Sequence, residues 1–465
     1  MKLLSGSLND DCIILPLWQK GEHTPDFKDK NFDLRAVQAS KDFKADEGEV
    51  LFVYPEKGAK RLLLLGMGKK EEMTPERYRR AYATATKAAN SKKIKTLTLM
   101  EYNKAIAEGI ALANYAFDTY KTEKRSLIEA VSLLKATPKN LAEFARVFTV
   151  FEGVYAARNM VNLNADDMTP AHLAAFAEKL SGPHIKVHVH DKIWLKKKGL
   201  NLLLAVSKGS VVDPALIVIE YRGDPKSKEN TMVVGKGVTY DTGGLNLKTE
   251  MGDMKCDMAG AAAALGLIVA AKGVALKKNI TVIIPTTENA ISGASYKQGD
   301  VYTSYLGKTV EIDNTDAEGR LILADALAWG NKEYKPTRII DMATLTGGVV
   351  VAFAEEVTGL MSNDEALAGK IQTASARTFE RVWPLPLYDE FKDLLKSDIA
   401  DIKNCGSKGA SSIKGGIFLK EFVGDTPWAH LDIAGTAYLD GEKRYLPKGA
   451  TGVGVRLLMD FLENE

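Results

Sequence analysis

The chain has 465 residues, which suggests two or three domains at roughly 150 residues each. Hydrophobic residues make up 45% and charged residues 26%, values that exclude a disordered or fibrous chain and leave room for a large core. Lys and Arg total 62 against 60 Asp and Glu, so a net charge of +2 gives no electrostatic case for nucleic acid or an anionic membrane as the main partner.

Cys12, Cys256 and Cys405 are few, odd in number and far apart. They argue against a disulfide framework and for a reducing, cytoplasmic compartment. The N-terminal stretch reaches Asp10 and Asp11 before a signal-peptide apolar region can form, so no signal peptide is expected.

In chain order, strand-like and helix-like segments alternate, which predicts an α/β fold. Arg61–Met67 reads as a buried strand. Thr74-Pro75-Glu76 supplies an N-cap, a proline and an acidic first turn for a helix running to about Ala89. Thr96–Met100 is a further strand, Ala105–Tyr115 a helix, and Asn140 to about Val161 a long helix. A polar stretch, Asn162–Asp167, follows, and Thr169-Pro170 caps the next helix. This divides the chain into a smaller N-terminal α/β domain (1–150), a linker (151–165) and a larger C-terminal domain (166–465) with a central mixed sheet flanked by helices. Strands there are expected at Ile185–His190, Ala215–Tyr221, Thr231–Val234, Ile280–Pro285, Thr309–Ile312 and Arg338–Asp341. Helices are expected at Met258–Ala271 and Leu321–Trp329. Met258–Ala271 is too short for a bilayer, which takes about 20 residues, and reads as a buried helix with no membrane partner.

Three segments carry candidate chemistry. Gly235-Lys236-Gly237-Val238-Thr239-Tyr240-Asp241-Thr242-Gly243-Gly244 follows a strand, and its glycines allow tight turns and close approach to a ligand. A phosphate cradle is one reading, but neither GxxxxGK[ST] nor GxGxxG fits and Asp241 would repel phosphate. A metal site is the other. Asn314-Thr315-Asp316-Ala317-Glu318-Gly319-Arg320 is the second segment. If Gly319 keeps the helix from starting before Arg320, the segment is extended, and Asp316, Glu318 and Arg320 share a face. A charged helix N-terminus is the alternative, which accounts for the acids but not the arginine. Asp257, opening the Ala-rich helix, reads alone as an N-cap. With the other two segments it becomes a fourth carboxylate, and four such groups at loop junctions suit a pair of divalent cations.

The histidines offer less. His188 and His190 share a strand face and could bind metal as a pair, but an exposed face is the expected reading; His23, His172 and His184 stand in polar contexts; His430 lies in a strand-like segment. There is no HExxH, CxxC or GxSxG, so zincin, thiol and serine mechanisms are unsupported.

NTDAEGRL (Asn314–Leu321) resembles the signature of the leucyl aminopeptidases, the cytosol aminopeptidase family of metallopeptidases. VVGKGVTYDTGG, KCDMAGAAA, DMATLTGG (Asp341–Gly348) and WAHLDIAGTA (Trp428–Ala437) resemble further family segments in family order, from about Arg158 to the C-terminus. The resemblance implies removal of N-terminal residues from peptides through a metal-bridged water. It implies two divalent ions per subunit (Mn or Zn, with Mg or Co possible), held by Lys236, Asp241, Asp257, Asp316 and Glu318. Lys248 would be the electrophile, and Arg320 would hold a bicarbonate that shuttles the proton. Lys236 would have to be a neutral amine, Lys248 a cation. Met254, Asn314, Thr344, Leu345, Gly347 and Ala450 would line the substrate pocket, favouring Leu and Met. A homohexamer is the implied assembly. Some bacterial members also bind DNA, for which the near-neutral charge gives no support; a two-metal hydrolase of another ester or amide is the alternative activity. The chain departs from the pattern in three places. Thr249–Cys256 is two residues short, Ala259 replaces a common glycine, and Leu163-Asn164 replaces a Thr-Pro pair.

Overall fold

The computed structural model describes residues 1–6, 11–19, 42–56 and 59–465; Asp10 and His23 lie outside them. Two compact units result: Met1–Phe151 with Gly441–Lys448, and Glu152–Asp440 with Gly449–Glu465. The long helix Pro138–Asn162 crosses the division between Phe151 and Glu152. The short segment Gly441–Lys448 groups with the first unit, although it lies inside the 166–465 stretch read from sequence as one domain.

In the first unit six strands pair in the order Lys2–Ser5, Ala130–Leu133, Thr96–Leu99, Cys12–Leu17, Leu62–Gly66, Val50–Val53. All neighbours are parallel except the last pair. Thr74 caps the helix Pro75–Ser91 by accepting from the Arg77 N–H, and Asn103 caps Lys104–Ala113 by accepting from Ile106.

The second unit is built on a nine-stranded mixed sheet. Its centre is parallel: Trp428–Asp432, Arg338–Ala343, Thr231–Gly235 and Asn279–Asn289 lie side by side, with Gly237–Asp241 pairing alongside the last. Antiparallel neighbours, Thr358–Ser362 on one side and Ala215–Arg222 on the other, flank that centre. Alternation along the central strand assigns its two faces. Met232 and Val234 face the helix Glu318–Tyr334, where a methyl on Gly330 would stand 2.8 Å from the Met232 sulfur. Gly235 faces the helix Ala259–Gly273, since its own methyl would lie 2.8 Å from the Ala261 Cα. The sheet is therefore covered on both faces, which is why its strands read as continuous apolar runs. Met254–Gly273 is long and apolar enough to cross a membrane, yet it is mostly buried inside the protein.

Parallel strands bring their carboxyl ends to one edge, where ligands of open α/β sheets bind. Gly235, Asn289, Ala343 and Asp432 end there, and the loops that follow the first three strands carry the candidate residues.

One local expectation fails. The helix starts at Glu318, not after Gly319, so Asp316, Glu318 and Arg320 do not share a face of an extended segment. Gly319 serves a different need: a methyl there would stand 2.5 Å from Cε of Lys236. The glycine admits a side chain and does not break the helix.

Candidate metal centre

Lys236 sits in the step between the strands Thr231–Gly235 and Gly237–Asp241. Its backbone is held on both sides, with its N–H donating to Met342 O at 3.0 Å and its carbonyl accepting from Ala261 at 2.9 Å. The helix Ala259–Gly273 approaches this closely only because Gly260 has no side chain; a methyl would lie 2.0 Å from the Met342 carbonyl oxygen. That approach brings Asp257, in the short 3-10 turn Met254–Met258, against the lysine.

Lys236 Nζ contacts Asp257 Oδ1 at 2.7 Å, Glu318 Oε1 at 2.9 Å and the Thr344 carbonyl at 2.8 Å. Lys248 Nζ contacts Asp241 Oδ2 at 2.9 Å and also pairs with Asp316. Asp257 does not act as an N-cap: Met258 occupies that position, and the carboxylate takes Lys236 and the Thr344 hydroxyl instead. Gly243 and Gly244, at φ +85 and +62, make the turn that returns the chain from Asp241 to Lys248.

Oxygens of Asp241, Asp257 and Glu318 lie within 4.8 Å of one another, all buried. Asp316 is outside that set and is joined to it through Lys248. Four carboxylates face two ammonium groups, which leaves excess negative charge, buried at Asp241, Asp257 and Glu318 and partly exposed at Asp316. Burial and the neighbouring Glu318 push Asp241 up; burial above all pushes Asp257 well up. Burial works against charge on Lys236, but Asp257, Glu318 and Asp241 outweigh it and hold the ammonium above its ordinary range. Lys248 is raised in the same way, Asp241 and Glu318 outweighing burial.

Two carboxylate oxygens, Asp257 Oδ2 and Glu318 Oε2, are buried without a hydrogen-bond partner. A buried polar atom left unpaired costs about 1–3 kcal/mol, more if charged. Hard, clustered, unsatisfied carboxylate oxygens suit a divalent cation. The donor set fits the group that the sequence motifs imply.

Known proteins decide the family. Residues 155–459 match the catalytic domain of the cytosol aminopeptidase family, and residues 14–124 match its N-terminal domain. The chain belongs to the cytosol aminopeptidase family. A probable cytosol aminopeptidase of Protochlamydia amoebophila is 47% identical, with 97% of this chain and 96% of that one aligned. One from Chlamydia trachomatis serovar D is 43% identical over the same shares. Among solved structures, the bottromycin maturation enzyme BotP in complex with Mn has a TM-score of 0.88 at 30% identity, covering 98% of this chain and 99% of that one. A mutant of tomato leucine aminopeptidase also has 0.88, at 29% identity, covering 100% and 97%. This family member is thus a hydrolase, an aminopeptidase that depends on divalent metal.

The other candidate residues of this aminopeptidase are dispersed around that centre. Arg320 turns from the carboxylates: its Nη1 donates to the Asn404 carbonyl at 2.7 Å. Thr344 bonds Asp257, Leu345 N–H donates to Asp432 Oδ1 at 3.1 Å, and Gly347 opens the helix Gly347–Phe353. Asn314 Oδ1 accepts the Asp316 N–H at 2.7 Å. Met254 begins the Asp257 turn, and Ala450 takes the Arg158 guanidinium on its carbonyl at 2.9 Å. Sequence reasoning missed Asn289, whose amide donates to Asp241 Oδ1 at 2.8 Å and to Thr315 O at 3.0 Å. It ends a strand just after Thr286, Thr287 and Glu288, so nothing in its local sequence marks it. His190 stacks on Trp194 at 3.7 Å between ring centres, and the buried His430 is hydrogen-bonded to Asp341 at 2.6 Å.

Proposed function

We propose that this aminopeptidase removes apolar N-terminal residues, Leu and Met foremost, from peptides. The observation that carries the site assignment is the pair of unpartnered oxygens on Asp257 and Glu318 beside Lys236. In this reading Lys236, Asp241, Asp257, Asp316 and Glu318 hold two divalent ions, Mn or Zn, with Mg or Co also accepted. When bound, such ions supply Lewis acidity and a water acidic enough to attack an amide. Lys236 can donate to metal only as a neutral amine. A bound dication would therefore take the place of the ammonium charge beside Asp257 and Glu318, and the Lys236 proton would pass to solvent.

Lys248 keeps its proton in this scheme, because Asp241 and Asp316 stabilise its charge. It polarises the scissile carbonyl and stabilises the oxyanion that forms there. Asn289 fixes the Asp241 carboxylate, and Thr344 fixes Asp257, so that both keep their aim. Arg320 stays protonated and cannot serve as a base. Its fork suits a bicarbonate, which would carry the proton to the leaving amine. Met254, Asn314, Thr344, Leu345, Gly347 and Ala450 form the pocket for the N-terminal side chain. A homohexamer in the cytoplasm completes the reading, by likeness to the family.

Hydrolysis of leucyl, methionyl, glutamyl and N-acetyl-leucyl amides by the metal-loaded protein tests it. Fast turnover of the first two alone is expected. Cleavage of the blocked substrate at a comparable rate would overturn the requirement for a free N-terminus, and a glutamyl preference would overturn the apolar pocket.

A further inference from the structure

Beyond the carboxylate cluster stands a second group of buried charges, and it is cationic. Lys414, in the helix Ser411–Lys420, is 3% exposed, and its ammonium donates to the Ser407 carbonyl. Arg320 is 4% exposed, and its Nε has no hydrogen-bond partner. Among the described residues no carboxylate lies within ion-pair distance of either side chain.

The backbone brings these cations together. Asn404, which accepts from Arg320, is three residues from Ser407, which accepts from Lys414. Gly415, next to Lys414, comes so near that a methyl on it would lie 3.7 Å from Arg320 Nη2. Burial lowers the Lys414 ammonium, and the Arg320 charge adds to that effect while Cys405 and Asp313 oppose it. A cation held out of water without a counter-ion is costly, and a like charge close enough to be felt adds repulsion. A fold that keeps both, with one guanidinium N–H still free, is arranged for an anion.

We propose that Arg320 and Lys414 clamp one small oxyanion between them, with Lys414 as its second cationic ligand. The inference rests on the reading above that Arg320 holds an anion, and it adds a binding residue which none of the family motifs contains. The ligand class is a carbonate-like oxyanion small enough for a closed site: a planar fork from Arg320 takes two of its oxygens, and the Lys414 ammonium takes a third.

The test titrates the metal-loaded, full-length protein with bicarbonate in bicarbonate-free buffer. It follows the rise in melting temperature and the bicarbonate concentration that gives half-maximal activation. Lys414→Met is expected to weaken the apparent affinity about ten- to hundredfold, the range for losing a hydrogen bond to a charged group. Lys414→Arg should recover part of it, and Arg320→Ala should abolish the response. If Lys414→Met fails to fold, Lys414→Gln replaces it, since its amide can still reach the Ser407 carbonyl without the charge. A wild-type titration matched by the neutral Lys414 variants overturns the second ligand while leaving the Arg320 anion intact. No response from the wild type overturns the Arg320 anion itself.

Discussion

Glu318 and Asp325 stand about two turns apart on one helix, Glu318–Tyr334, and neither reaches water. Their surroundings differ in one respect. Asp325 is closed: Oδ2 accepts the Leu202 and Leu203 N–H groups at 2.8 and 3.2 Å, and Oδ1 accepts Tyr305 N–H at 2.8 Å. It pins the first turn of the helix Asn201–Val206 and the loop at Tyr305 to the core. Glu318 is open: Oε1 meets Lys236 and Oε2 meets nothing. Burial of a carboxylate thus separates neither role from the other, whereas unspent acceptor capacity does. A satisfied buried acid holds the fold together, and an unsatisfied one leaves a valence for a ligand.

The largest effect should come from filling or emptying that valence. Removal of metal with a chelator is expected to abolish activity, and Mn, Zn or Co should restore it; full activity in a verified metal-free sample breaks the contrast at its open end. Next, Lys248→Ala is expected to lower kcat by about 10² or more while metal content is retained, as loss of an oxyanion stabiliser does. Lys236→Ala should lose metal instead. Equal metal loss in both variants would show that the two lysines do not divide their roles.

How far this contrast can be read from the sequence depends on the kind of contact. The glycine-rich step around Lys236 and the run Asp316–Arg320 are local, so residue type and spacing point to a cation site before any fold is known. The parallel centre of the sheet follows from alternating apolar segments for the same reason. Gly319 shows where local reading fails: its purpose, room for Lys236, comes from a residue more than eighty positions away. Asp325 and Asn289 are illegible for that reason too, since their partners lie 20 to 123 and 26 to 48 residues off. Lys414 is hidden differently. A lysine in an exposed helix looks the same in sequence, and only its burial beside Arg320 marks it.

Met254→Ala gives a smaller effect, at the edge of the open site. Methionine suits an apolar pocket that accepts several shapes, and it stands at the start of the turn that carries Asp257. Each lost methylene changes kcat/KM by about 1–3 kcal/mol. The variant should therefore lose at least about tenfold on leucyl and methionyl substrates and keep its metal. An unchanged profile would remove Met254 from the pocket.

The smallest effect on chemistry is expected at the closed carboxylate, where Asp325→Asn should leave metal content and kcat as they are. Its effect is on stability and on how stability varies with pH. Burial pushes the Asp325 carboxyl up to about 7, against the three backbone N–H bonds that favour its charge, from an ordinary value of 3.8. Between those two values the folded chain holds a proton that the unfolded chain has released. The stabilising contribution of this group is therefore greatest below about pH 4 and is lost as pH rises through about 7. Asparagine does not titrate, so the fall in urea midpoint between pH 5 and 7.5 should be shallower in the variant than in the wild type. At pH 5 the variant should also be less stable by about 2 kcal/mol, because an amide has one acceptor oxygen and its NH2 leaves either the Tyr305 N–H or the Leu202 and Leu203 N–H groups unpaired, and this gap should narrow by pH 7.5. An identical pH dependence would refute the raised carboxyl. Loss of metal from Asp325→Asn would instead show that the closed acid supports the open site through their shared helix.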